Sequence, residues 1–200
     1  MKFRAPAILC AARPHGETAV IARLLTAQHG LVAGYVAGGR GRNLRPVLIP
    51  GNLVEADLRS RSESQLPFAR LELLESRGPW LNEPLPAAAI GWACGLTATA
   101  LPERHAYPSL FDALSALLTA ICHAPSARGW VGGMVAYEAL LLRELGYGGA
   151  GPPPLGDWAA TLALFDRIGG LLEHYLLADR RGDVMGARTI LRDRLARIAS

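Results

Sequence analysis

The apolar positions of the chain follow two rhythms, and the change between them falls near Trp80. Before it, short alanine-rich or β-branched runs occupy residues 5–12, 18–26, 31–37, 48–58 and 68–74. Turn signals separate them: Pro14-His15-Gly16, Gln28-His29-Gly30, Gly38-Gly39-Arg40-Gly41 and residues 60–67. Short apolar runs bounded by Gly and Pro clusters read as strands. Residues 18–26 would also suit a helix by composition; the strand is the preferred reading. Five strands in so short a segment cannot bury both faces as a flat sheet. Closure into a small barrel removes the exposed edges.

After Trp80 the apolar residues recur every three or four positions, the period of a helix with one buried face. Helices are expected over 85–100, from a Ser109 N-cap through 121, and over 130–145 with Gly146 as the stop. Residues 148–156 contain three consecutive prolines and serve as a connector. Asp157 then caps a helix through 178, and Asp183 caps a last one through 199. No internal repeat is present. The expected fold class is α+β: a five-stranded barrel over 1–80, followed by a helical domain over 81–200 with the connector inside it.

Half of the chain is hydrophobic and 19% is charged, enough apolar surface for a core and too little charge for wholesale disorder. No window approaches the length of a membrane span. The run 5–12 follows Lys2 and Arg4 and precedes nothing like a cleavage site: it is short, contains Pro6, and has Leu9 where a small residue is needed. A buried strand explains it better than a leader or a lipid anchor. Cys10, Cys94 and Cys122 are odd in number and widely spaced, which suggests neither a disulfide framework nor a zinc site. The expected compartment is the cytoplasm.

The net charge of +4 is unevenly placed. Residues 1–80 hold eleven basic and six acidic side chains; 81–150 are net acidic, and 151–200 nearly balanced. All basic residues except Lys2 are arginines, whose planar fork suits phosphate and stacks on bases. Signatures of catalysis are missing: no phosphate loop, no nucleophile elbow, no zinc-protease helix, and Gly39-Arg40-Gly41 lacks the third glycine of a dinucleotide fingerprint. The five histidines are never three to five residues apart, so no local pair clamps a metal. Cys122 and His123 would point to different sides of a helix. Glu17 reads as a turn residue that pairs with Arg13.

The informative segment is 38–45, Gly-Gly-Arg-Gly-Arg-Asn-Leu-Arg, which lays Arg40, Arg42 and Arg45 on a loop between two barrel strands. Glycines allow close approach of a phosphodiester and arginines neutralise it. With Lys2, Arg4, Arg13 and Arg23 in the same domain, a cationic groove for nucleic acid is expected; the alternative is a mobile solvated loop. In the first 80 residues only Phe3, Tyr35, Phe68 and Trp80 could stack on bases, and alternation should bury at least half of them. Binding should therefore lean on phosphates, with little sequence preference and a steep salt dependence. A second cluster, Arg180, Arg181, Arg188, Arg192, Arg194 and Arg197, alternates with aspartates and reads as an ordinary solvated helix face.

These residues in this order resemble the RecO family of bacterial recombination mediators. The resemblance rests on Arg13-Pro14 with Glu17-Thr18, Gly30 before the third strand, the 38–45 loop, Pro50, and Tyr137-Glu138 leading to Leu145-Gly146-Tyr147-Gly148. It implies that the barrel is an OB-fold and that the activity is non-catalytic. The implied activity is binding of single- and double-stranded DNA, strand annealing and, with RecR, help for RecA on DNA coated by single-stranded-DNA-binding protein (SSB). It implies that Arg40, Arg42 and Arg45 contact DNA, that the acidic SSB tail docks on the helical domain, and that the protein works at the nucleoid. A protein-interaction adaptor with little DNA binding of its own is the alternative. Many members carry a four-cysteine zinc module after the Leu-Gly-Tyr-Gly element. Here residues 149–157 hold no cysteine, so no zinc or other cofactor is expected.

Overall fold

The computed structural model describes residues 2–62, 64–148, 154–178 and 184–198. The chain divides into two compact units, Met1–Asn82 with Leu101–Phe111, and Glu83–Ala100 with Asp112–Ser200.

The first unit is a closed five-stranded barrel in the order β1-β2-β3-β5-β4, the OB-fold arrangement. The strands are β1 (Lys2–His15), β2 (Ala19–Thr26), β3 (Gly30–Val36), β4 (Leu53–Arg59) and β5 (Phe68–Glu75). Inward positions carry small or branched residues, with Ala7, Leu9, Ala22, Leu24, Val32, Val54, Ala56 and Leu58 forming the core. Mixed Ala and Leu fill the narrow interior that closure of few strands leaves. β1 is longer than the apolar run 5–12 suggested. Its first half pairs with β4, its second half with β2, and the register shifts between Leu9 and Ala11. Lys2, Arg4 and Pro6 face outward on it, so hydropathy alone hides its beginning.

β4 begins five residues later than expected. Residues 44–48 form tight turns instead of strand, yet Leu44, Val47 and Leu48 still pack on the barrel core. Pro46 and Pro50 cannot donate to a ladder. Asn52, fully buried, fixes the alternative: its amide donates to the carbonyls of Pro46 (2.9 Å) and Val47 (3.0 Å), and its oxygen accepts from the Arg77 amide (2.7 Å). Asn52→Ala leaves those three groups without their partner in a buried site. The barrel should lose roughly 3 kcal/mol in chemical denaturation.

Gly30 opens β3 at φ +67°, and a Cβ there would collide with the His105 carbonyl. The glycine lets Leu101–Phe111 lie against the barrel, where Arg104 donates to the Leu31 carbonyl (2.8 Å) and Leu31 bridges to Glu103.

The second unit is helical: α1 (Pro84–Ala100), α2 (Pro108–His123, its first turn grouping with the barrel), α3 (Val131–Glu144), α4 (Trp158–Leu172) and α5 (Val184–Ala196). α2 starts with Pro108 in its first turn, one residue before the expected Ser109 cap; proline is well tolerated there. Gly146, at φ +89°, ends α3 as expected, and Asp157 caps α4 by accepting from the Ala160 amide (2.8 Å). α4 continues through a π turn, Glu173–Leu177. Residues 149–153 of the expected connector, and the expected caps and ends at Asp183 and 199, lie outside the described residues.

One buried polar node ties four helices together. Glu138 of α3, fully buried, accepts from Trp92 Nε1 of α1 (2.7 Å) and from Arg188 of α5 through Nε (3.1 Å) and an Nη (2.8 Å). The Arg188 guanidinium lies 3.6 Å over the Phe165 ring of α4 and donates to the Phe165 carbonyl. Burial pushes the Glu138 carboxyl above its ordinary range, against the lowering pull of the Arg188 charge and of hydrogen bonds from Arg188 and Trp92. Arg188 is therefore not part of a solvated face, which corrects the reading of the C-terminal arginine cluster. Arg192 holds Asp166 through two bonds (2.6 and 2.7 Å), and Arg180 and Arg181 lie outside the described residues.

Candidate nucleic-acid interface

The 38–45 segment is a built structure rather than the flexible loop expected from its glycines. Gly38 takes φ +65°, the Gly41 amide donates to the Gly38 carbonyl (2.8 Å), and the amides of Leu44 and Arg45 donate to Gly41 (3.2 Å each). Gly39 is buried against Val20 and Leu48, with no room for a side chain. The turn is thus held at one end by β3 and at the other by Leu44, Val47 and Leu48 on the core.

Arg40 fastens this turn to the one between β1 and β2. Its amide donates to Thr18 (3.0 Å), and its guanidinium to the carbonyls of Glu17 (3.0 Å) and Gly16 (3.4 Å). Arg45 Nε donates to the Arg40 carbonyl (3.2 Å). These acceptors are neutral, so both guanidinium charges stay uncompensated. Arg42 is exposed and makes no ion pair among the described residues; the same holds for Arg13. Glu17 does not pair with Arg13, contrary to expectation; its contribution to the turn is a backbone carbonyl. The two turns and the end of β1 therefore carry Arg13, Arg40, Arg42 and Arg45 against one carboxylate, Glu17.

The remaining expected contacts are placed differently. Arg4 is ion-paired with Glu55 (3.2 Å) and Glu72 (3.7 Å) on the outer face of β1, β4 and β5. Arg23 reaches Glu103 (3.4 Å). Both are locally neutralised and contribute less to a cationic surface than the sequence suggested. Lys2 is exposed and sits opposite Arg59 across the β1–β4 ladder. Arg59 grips Asp57 through two bonds (2.7 and 3.0 Å), which hold that carboxyl below its ordinary range, with smaller help from Arg4 and Lys2. Arg59, Arg61 and Arg70 were not singled out in the sequence; all three are exposed. The only signal available was their place beside the 60–67 turn.

The helical unit carries a groove of about 400 Å³ between α2 and α3, lined by Ala113, Ala116, Leu117, Ala136, Leu140 and Arg143. Cys10, Cys94 and Cys122 are buried. No group of three or more His, Cys, Asp or Glu among the described residues is arranged to hold a metal ion, and no described helix is long and apolar enough to cross a membrane.

Two family profiles match the chain: "Recombination protein O N terminal" over residues 1–77 and "Recombination protein O C terminal" over residues 83–149. The chain is 45% identical over 149 residues to the DNA repair protein RecO of Rhodospirillum centenum, covering 74% of this chain and 58% of that one. It is 42% identical to the protein of the same name from Phenylobacterium zucineum, covering 74% and 60%. Against that of Caulobacter vibrioides it is 40% identical over 169 residues, covering 84% and 67%. The chain thus spans less than two thirds of the length of the first two relatives.

Proposed function

The chain belongs to the RecO family, and from that premise we propose that it is a non-catalytic DNA-binding mediator of recombination and repair. It binds single- and double-stranded DNA through the arginine-bearing turn on the barrel and promotes annealing by lowering the repulsion between two phosphate backbones. The observation that carries this reading is the seating of Arg40, Arg42 and Arg45 on a rigid turn whose hydrogen-bond acceptors leave their charge intact. Arg13 extends the same surface, Lys2 stands apart from it opposite Arg59, and Arg4 and Arg23 act behind their carboxylate partners. Two complementary oligonucleotides labelled for energy transfer test it. The purified chain should bind each strand and speed their pairing, most strongly at low salt. Failure to bind either strand would refute it.

By the same family logic the protein acts in the cytoplasm at the nucleoid and works with RecR to help RecA onto SSB-coated strands. The zinc module of other members does not fit this chain, whose residues 149–157 contain no cysteine, so no step depends on a metal.

A second role, as an adaptor, is supported by the α2–α3 groove. Its largely apolar lining together with Arg143 suits a short peptide with an apolar side chain next to a carboxylate, the chemistry of the acidic SSB tail. Arg143→Ala should weaken binding of a peptide with that tail about tenfold in fluorescence anisotropy, in line with one charge-assisted contact, and leave DNA binding unchanged.

A further inference from the structure

Stacking was expected to be scarce in the barrel, yet the structure leaves one aromatic side chain mostly exposed on its surface. Phe68, the first residue of β5, is 64% exposed, whereas Phe3 is half-buried and stacked on His29 (3.8 Å between centroids). A lone exposed aromatic is ordinary on a protein surface; what sets Phe68 apart is the cleft it lines and the charged and aromatic groups around it. The cleft beside it has a volume of about 660 Å³ and is formed by the turn between β4 and β5: Arg59, Ser60, Arg61, Gln65, Leu66 and Phe68.

Phe68 is also the middle of a continuous row across the outside of the barrel. On one side its ring meets Tyr35 edge-on (5.2 Å, 73°), and Tyr35 meets His15 edge-on (6.0 Å, 86°). His15 adjoins Gly16, whose carbonyl accepts from Arg40. On the other side Phe68 sits opposite Arg59 across the β4–β5 ladder, and Arg59 opposite Lys2 across the β1–β4 ladder. Arg61 stands exposed in the cleft wall. The row therefore sets an aromatic block, His15, Tyr35 and Phe68, between the arginine turn on one side and Arg59, Arg61 and Lys2 on the other. Of the described carboxylates, Glu17 lies in the turn at one end of this stretch and Asp57, bound by Arg59, at the other; Glu63 lies outside the described residues.

A polyanion with detachable flat groups satisfies both halves of such a row, since phosphates meet the cations and bases lie on the ring faces. A duplex meets only the first half, because its bases are already stacked on one another. We propose that Phe68, with Tyr35 braced edge-on behind it, is a base-stacking platform that makes the barrel favour single-stranded over double-stranded DNA, with Arg61 and Lys2 holding the adjoining phosphates. This rests on the DNA-binding reading above and adds to it the residue that senses strandedness.

The full-length chain is titrated with a short oligothymidylate, an abasic strand of equal length and a duplex, each by fluorescence anisotropy. The wild type should prefer oligothymidylate to the abasic strand about tenfold, the contribution of one base on one ring. Phe68→Ala should lose that preference while holding the abasic strand and the duplex as before. Phe68→Trp should keep it, with indole fluorescence quenched by oligothymidylate and not by the abasic strand. Because the ring is mostly exposed and the adjacent Ala69 and Leu58 form the core, the alanine variant should fold normally. A preference that survives Phe68→Ala, a wild type that does not distinguish the two strands, or a loss shared equally by all three ligands would overturn the platform. In each of those cases the arginine turn still binds, whereas a wild type that binds none of the three ligands defeats the DNA-binding reading itself.

Discussion

Replacing Glu138 with alanine should cost the helical unit about 3–5 kcal/mol, the usual penalty for leaving a buried charge without its partner. Arg188 is 5% exposed and would face Trp92 and Phe165 with no anion to compensate it. Against a typical total of about 5–15 kcal/mol, that loss would populate unfolded helices under mild denaturant. Glu138→Gln keeps an acceptor for the Trp92 indole and removes the charge, so it should fall between the wild type and the alanine variant. A double replacement, Glu138→Leu with Arg188→Met, removes both charges together and should recover most of the stability. Chemical denaturation followed by helical circular dichroism distinguishes the three. A loss under about 1 kcal/mol for the alanine variant would show that the node does not hold α1, α3, α4 and α5 together.

Removing Arg40, Arg42 and Arg45 together should lower affinity for single-stranded DNA about a hundredfold at low salt, at about 1 kcal/mol for each phosphate contact. The three are not equivalent. Arg40 also joins two turns through the carbonyls of Gly16 and Glu17, so its replacement combines lost charge with a loosened turn. The double variant Arg42→Ala with Arg45→Ala leaves that fastening in place and isolates the charge. It should retain normal stability and account for about two thirds of the loss on a logarithmic scale. Replacing Arg4 or Arg23 should matter much less, because Glu55, Glu72 and Glu103 already offset them.

The barrel was legible in the sequence because its strands alternate and its turns are marked by Gly and Pro; β2, β3 and β5 fall within a residue or so of the apolar runs that announce them. Helix ends at Asp157 and Gly146 were legible for the same local reason, since a cap needs only its near neighbours. Residues 44–48 were not. Their hydrophobicity announces burial but not the means of it, and the means is Asn52 together with two prolines. The arginines were identified as a class, but which of them keep their charge depends on carboxylates distant in sequence, as with Arg4 and Glu55. Arg188 looked like a surface residue because its partner Glu138 lies on another helix, and the exposure of Phe68 follows from where a closed barrel turns its rim. Alternation states which residues share a face; only the assembled barrel states which face meets solvent.

The account depends most on backbone charge neutralisation by the turn at 38–45, and the salt dependence of DNA affinity measures that directly. Affinity of the wild type for single-stranded DNA should fall linearly with salt on logarithmic axes, and the triple variant Arg40→Ala, Arg42→Ala, Arg45→Ala should lower the slope by about two units, three contacts at about 0.7 each. An identical slope for the two proteins would contradict the placement of DNA on this turn.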